Sequence, residues 1–348
     1  MDDTQERAFG FSGTWRDYAP IAFTNLLLTI VTLGIYRFWA TTRTRHYLWS
    51  QTRFIDARLE WTGTGKELFV GFLMVLLLLL LPLILLQFAV PALILRGYGL
   101  LGGVLGIVLF AAFFYLGGLA RYRALRYRLS RTWWHGIRGG SNDTGWSYGW
   151  SYMWKSFVGS LALGLLIPWS MMSLWDERWN RLSFGPFSFE AAGDHSKTFQ
   201  RFLFFYLIPL IALILGIVAF FSGAGGSVSG GILVALMPVG FYAAFGVVAL
   251  AYYSSFFREA VGGMSLSTLN FQFEARSKDW LLLILGDIGL VIVTLGIGSI
   301  FLSYRHWKFF ITHLNATGEI DLNELTQSTA REPRQGEGLL DAFDIGAI

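Results

Sequence analysis

Three polar residues stand inside long apolar stretches, where a charge has no water to face: Asn25, Lys155 and Asp287. In lipid such groups are costly unless they are paired or line a cavity, so they are the first candidates for chemistry. Brought together, Lys155 and Asp287 would form a charge pair on a proton or solute path. Left apart, Lys155 would snorkel at a helix end and Asp287 would make a local hydrogen bond. The five histidines, His46, His135, His195, His306 and His313, form no His-x-x-x-His pair and no carboxylate cluster at ligand spacing. No Gly-x-Ser-x-Gly elbow is present, and the chain has no cysteine, which removes thiol catalysis, disulfides and thiolate metal sites. Glu60, Glu190 and Glu274 recur in similar strand-like contexts. Repeat ancestry explains them more simply than acid–base catalysis. The glycine-rich run 223–231 lacks the Gly-Lys-Ser/Thr ending of a phosphate loop and reads as a turn. No enzymatic activity, metal or cofactor is expected.

The arginines form a second group. Arg43 and Arg45, then Arg121, Arg123, Arg126 and Arg128, sit among aromatic residues beside apolar segments. That setting makes them candidates for anionic lipid headgroups, and makes membrane lipids rather than nucleic acid the expected partner.

The elements that must position these residues are membrane helices. Hydrophobic residues make up 54% of the chain and charged residues 14%, against about 25% charged in a soluble domain. Seven apolar segments stand out, at 20–40, 68–95, 98–120, 155–173, 202–222, 231–253 and 280–303. The second, third, fifth and sixth exceed the roughly 20 residues needed to cross the hydrocarbon core. The expected fold is therefore an all-α polytopic membrane protein of about seven helices, with short strand-like segments between them. The alternative is four full spans, with segments one, four and seven re-entrant or interfacial and every strand on one side. Arginine-rich gaps 41–66 and 121–155 should be cytoplasmic. The charge-balanced gaps 173–201 and 254–279 would then be external under the seven-span reading. Gly99, Gly102, Gly103 and Gly106 are spaced for close helix packing.

The chain also echoes itself. Val31-Thr32-Leu33-Gly34-Ile35 recurs at Val293-Thr294-Leu295-Gly296-Ile297, with Asp17 matching Asp279, Asn25 matching Asp287 and Arg43 matching Arg305. A middle copy aligns Leu163-Gly164, Trp169 and Trp179 with Leu33-Gly34, Trp39 and Trp49. The organisation expected is one repeated membrane domain over 1–325, with units at about 9–145 and 146–270, a partial unit at 271–325, and a flexible tail over 326–348.

The run from Asn25 to Ala40, with Thr32-Leu33-Gly34-Ile35-Tyr36 at its centre, resembles the signature of the YjgN-like bacterial inner-membrane proteins. Phe38 stands where that signature has proline, whereas Pro168-Trp169 keeps it in the middle copy. The resemblance implies a bacterial inner-membrane address and a multi-pass chain, and brings no activity or catalytic residue with it. A small-solute or ion transporter or channel is the first function expected. A lipid-interacting or scaffold protein of the cell envelope is the alternative. A second copy of the chain, and a protein bound by the tail segment 339–345, are further candidate partners.

Overall fold

The structure, a computed structural model, describes residues 7–222, 228–320 and 326–330. The candidate docking segment 339–345, and residues 223–227 of the glycine run, lie outside the described residues.

The chain begins with β1 (Phe9–Phe11), α1 (Trp15–Val31) and α2 (Arg37–Ser50), then β2 (Thr52–Phe54), β3 (Ala57–Arg58) and β4 (Glu60–Trp61). Two long apolar helical stretches follow. The first is α3 (Gly65–Ile84), a π-turn at Leu85–Ala89 and α4 (Val90–Leu95); the second is α5 (Gly99–Ser130). The hairpin β5 (Thr132–Trp134) and β6 (Ile137–Gly140) leads to α6 (Trp146–Ser160), α7 (Ile167–Trp179), β7 (Ser183–Phe184) and β8 (Phe187–Ala191). The pattern then recurs: α8 (Ser196–Phe202) with α9 (Phe204–Phe221), α10 (Val228–Gly262), β9 (Met264–Leu266), β10 (Leu269–Phe273), α11 (Ser277–Val293), α12 (Leu302–His313) and β11 (Leu314–Thr317).

Four helical stretches are long and apolar enough to cross a membrane: Gly65–Leu95, Gly99–Ser130, Ser196–Phe221 and Gly230–Gly262. Segments one, four and seven are not spans of this kind. Each breaks in the middle and turns back, giving the helical hairpins α1–α2, α6–α7 and α11–α12. The expectation of seven membrane helices gives way to four candidate spans. Length explains this: the 17 residues of α1 rise about 25 Å, short of a hydrocarbon core of about 30 Å.

The break has a local cause. Leu33 and Leu295 close their helices in the left-handed region, with φ of 51° at each, and Gly34 and Gly296 follow at 90° and 94°. Gly34 N–H donates to Thr29 O, five residues back, and Leu33 N–H to Ile30 O; Gly296 and Leu295 do the same to Val291 O and Ile292 O. This is the Schellman closure of a helix. The Thr32 hydroxyl donates to Leu28 O and accepts from Tyr36 N–H, tying the two helices of the hairpin together, as Thr294 does between Leu290 O and Gly298 N–H. Phe38 and Pro168 both occupy the second position of the returning helix, where proline is tolerated but not needed. The substitution leaves the break where it was.

The strands are more extensive than short loop segments. Eight of them run as one antiparallel sheet, β11-β10-β9-β8-β7-β6-β5-β4, and β1-β2-β3 form a second. The smaller sheet sits between the two ends of the larger: Leu59 N–H donates to Thr52 O at one end, and Ala8 N–H to Asn315 Oδ1 at the other. The sheet therefore curls back on itself and covers its edges, which would otherwise offer unpaired backbone groups. Pairing of β6 with β7 and of β8 with β9 puts all four inter-helix gaps on one side of the molecule. The expectation that 173–201 and 254–279 lie opposite the other two gaps is corrected accordingly. Each pair of spans leaves the sheet and returns to it.

Helix starts follow from capping. Thr64 N–H donates to Glu67 Oε2 and Glu67 N–H to Thr64 Oγ1, a reciprocal box at the start of α3. Asp17 and Asp279 serve α1 and α11 from the same third position. Of the four spaced glycines, Gly102 makes the close approach: a β-carbon there would come within 2.7 Å of Ile94, while Gly99 and Gly103 face open space.

Candidate functional site

Each of the three intramembrane polar candidates is satisfied inside its own hairpin. The Asn25 amide donates to Ala40 O at 3.2 Å and accepts from Arg43 Nη1 at 3.4 Å. Lys155 Nζ donates to Ser173 Oγ and to Glu177 Oε2, both at 2.7 Å. Asp287 accepts from Arg305 Nε and meets His306 Nε2, both at 2.6 Å. In every case one partner lies 18 residues further on, directly across the hairpin. Lys155 and Asp287 do not pair with one another. The three positions clamp three hairpins, and the structure does not bring them to a common point.

The arginines divide into two kinds. Arg43 is exposed on its hairpin, and Arg123 donates to Thr144 O at 3.1 Å while lying over the Trp146 ring. Arg45 and Arg126, by contrast, are only 4% and 3% exposed, inside the head that the sheet encloses. Arg45 stacks over Trp61, with its guanidinium carbon 4.9 Å from the ring centre. Arg121 lies over Tyr152 at 4.8 Å. Glu60 and Glu190 are exposed on their strands, and Glu274 pairs with Arg7 at 2.9 Å, so the three glutamates form no common site.

The feature that collects residues from the whole head is a cavity of about 830 Å³. The helices α1, α2, α5, α7, α10 and α12 supply its walls together with the inner face of the sheet. Aromatic and aliphatic residues share the lining, among them Trp49, Trp175, Trp179 and Phe271. Trp49 and Trp307 stack there with ring centres 4.0 Å apart, and each indole N–H is held by a threonine hydroxyl at 2.9 Å, Thr132 and Thr52 respectively. Its charged lining is cationic, with Arg37, Arg45 and Arg128 present and no carboxylate among the described residues. An apolar chamber of this size with a few convergent cations has the makeup of a ligand site.

Residues 7 to 320, and with them the cavity, fall within a match over residues 6–342 to the family described as "Bacterial protein of unknown function (DUF898)". The chain belongs to that family. It is also similar to the protein named "Inner membrane protein YjgN" of Salmonella typhimurium, at 29% identity over 144 residues, which is 38% of this chain and 35% of the relative. The protein of the same name in Escherichia coli K12 is 29% identical over 136 residues, 39% of this chain and 31% of the relative. These alignments span about a third of the curated relatives' own length. No solved structure matches the chain at a significant level. With four apolar helices of spanning length, this DUF898 member is a multi-pass inner-membrane protein.

Sequence reasoning missed Glu67, Glu177 and Arg178. Glu67 caps α3 and also takes Arg131 at 2.6 Å and Tyr127 OH at 2.8 Å, which ties the two spans α3 and α5 at their base. Glu177 takes both Lys155 and Arg181. An acid three residues after a threonine was the signal for Glu67; the basic run over 121–131 gave none for its partners.

Proposed function

We propose that this protein is a lipid-interacting membrane protein whose cytoplasmic head takes an anionic amphiphile, acyl chain inward, into the central cavity. The cavity is the observation that carries this reading. Its walls are apolar and aromatic, its charges are cationic, and it lies in the part of the chain that adjoins the membrane. Burying an acyl chain is worth about 0.8 kcal/mol per methylene, and the cationic lining favours an anionic head.

The sheet side faces the cytoplasm on this reading. The arginine-rich ends of α2 and α5 both lie there, while the described connection on the opposite side, Arg96–Tyr98, is a tight turn with one basic residue. The hairpins enter the bilayer boundary from that side. Their tips expose Leu33 at 94%, Leu163 at 89% and Leu295 at 93%, which suits lipid and not water. The likeness of the three hairpins, in sequence and in the 18-residue clamp, further supports their origin as copies of one unit.

Transport has less support. The spans leave most of their surface uncovered, at most 18% of each apolar window being buried, and the three polar residues close separate hairpins instead of lining one path.

The test is a lipid inventory. Protein purified in mild detergent is expected to retain an anionic amphiphile in stoichiometric amount by native mass spectrometry. Ser303→Trp, which places a bulky ring on an exposed wall of the cavity, should release it without unfolding the protein. A chain that carries no such molecule, and shows no saturable binding of a fluorescent fatty acid, removes the proposal.

A further inference from the structure

Arg178, near the end of α7, is only 6% exposed, yet no hydrogen bond or ion pair to it exists among the described residues. Its guanidinium lies 5.1 Å from the centre of the Trp175 ring, and its Nε is buried without a partner. The carboxylates nearby are already engaged. Glu177 holds Lys155 at 2.7 Å and Arg181 at 2.5 Å; Asp143 holds Arg181 at 2.5 Å; Asp176 accepts the Gly193 N–H. Within electrostatic range of Arg178 instead is more positive charge, from Arg121 and Arg128 on α5, together with the Tyr148 phenol. Burial, and then those two arginines, pull its pKa below the usual arginine value against the opposing effect of Tyr148. Arg121 likewise has no acid partner among the described residues and rests over Tyr152.

A buried charge without a counter-charge is among the most expensive arrangements in a protein. Cation–π contact with Trp175 offsets only part of that cost. Arg121, on α5, is a like charge within range and adds to the cost. An arrangement of this kind is stable when an anion completes it.

We propose that Arg178, with Arg121, forms a binding site for a phosphate-class anion between α5, α6 and α7. Arginine is well matched to such an anion, because its planar fork gives paired hydrogen bonds to phosphate oxygens and keeps its charge when desolvated. Arg121 is the first charged residue after the apolar run of its span, so the site begins at the level of the lipid headgroups. Both free phosphate and the phosphodiester of an anionic phospholipid carry the required chemistry. The site is independent of what fills the central cavity, since Arg121 and Arg178 do not line it.

The experiment is a thermal-stability titration of the full chain. One arm adds inorganic phosphate to detergent-purified protein; the other compares nanodiscs of phosphatidylcholine with nanodiscs containing phosphatidylglycerol. Stabilisation by inorganic phosphate identifies the free anion, and stabilisation by phosphatidylglycerol alone identifies the headgroup. Arg178→Met is expected to weaken the response about tenfold or more in midpoint concentration. Without any anion it should melt no lower than the wild type, because it removes the uncompensated charge. Arg121→Met, at a half-buried position, supplies the same readout should Arg178→Met fail to fold. No stabilisation in either arm, or an unchanged response in the variants, overturns the site. Loss of amphiphile retention in Ser303→Trp, with this response intact, separates the two proposals.

Discussion

Asp287→Ala tests whether the polar residues of the apolar segments are clamps. Asp287 is 13% exposed and receives Arg305 Nε and His306 Nε2 at 2.6 Å each, while Arg305 is 34% exposed. Breaking a fully buried pair costs about 3–5 kcal/mol, and an exposed pair about 0–1 kcal/mol. Arg305 can reach water in part, which places the loss near 2 kcal/mol on that scale. At about 2–4 °C per kcal/mol, the apparent Tm should fall by about 4–8 °C. The 14 tryptophans make fluorescence melting of detergent-solubilised protein the natural assay. The double variant Asp287→Ala/Arg305→Met should recover part of the loss, because it no longer leaves a cation stranded. Lys155→Ala combined with Asp287→Ala should instead be additive, since Lys155 is held by Ser173 and Glu177 in another hairpin. A drop below about 1 °C for the single variant, or clear non-additivity between Lys155 and Asp287, refutes the clamp.

Other outcomes follow from the same geometry. Gly34→Ala and Gly296→Ala force a side chain to φ of 90° and 94° where no atom crowds it, so each should cost about 1–2 kcal/mol of backbone strain, read as a lower melting temperature. The chain has no cysteine, so single cysteines can report topology: Gly136→Cys in the β5–β6 turn should react with an impermeant maleimide from the cytoplasmic side, and Tyr98→Cys from the periplasmic side. Exchanged sides would invert the arrangement, and labelling of both from one side would dismantle it. Burial raises the pKa of Asp176, against the opposing Gly193 N–H and Lys155. A carboxyl whose folded pKa is raised favours folding at low pH and loses that contribution as pH rises through the folded value, so Asp176→Asn should gain on the wild type at pH about 7 and not at pH about 3.

Much of this was legible in the residues. The four long spans announce themselves by length alone, and Val-Thr-Leu-Gly-Ile marks the hairpin break because threonine and glycine are the types that closure needs. The clamp positions were visible as polar residues in apolar runs. Their partners were not, because a contact 18 residues away depends on where the helix turns back, which periodicity does not reveal. The curled sheet was also hidden. Its strands are two to five residues long, too short for alternation to register, and they pair across gaps of up to a whole pair of spans. Sequence places Arg45 and Arg126 beside apolar runs, which is the setting of a surface anchor. Their burial in the head comes only with the closure of the sheet around them.

The orientation error has a physical source with wider reach. The gaps at 173–201 and 254–279 carry as many acids as bases, and balance suggested the outer face of the membrane. In the fold several of those acids serve individual cations: Glu177 bridges Lys155 and Arg181, Glu259 takes Lys197 at 3.0 Å, and Glu274 takes Arg7 at 2.9 Å. The acids are present because helices and strands converge there and must be neutralised locally. The first two gaps hold Arg45 and Arg123 against aromatic rings and a backbone carbonyl, and draw Glu67 and Glu177 from outside them for Arg131 and Lys155, and so keep a visible positive excess. Net charge per gap thus measured the kind and place of the counter-group, not the side of the membrane. Basic residues counted without regard to acids would have put all four gaps together, as the strand pairing does.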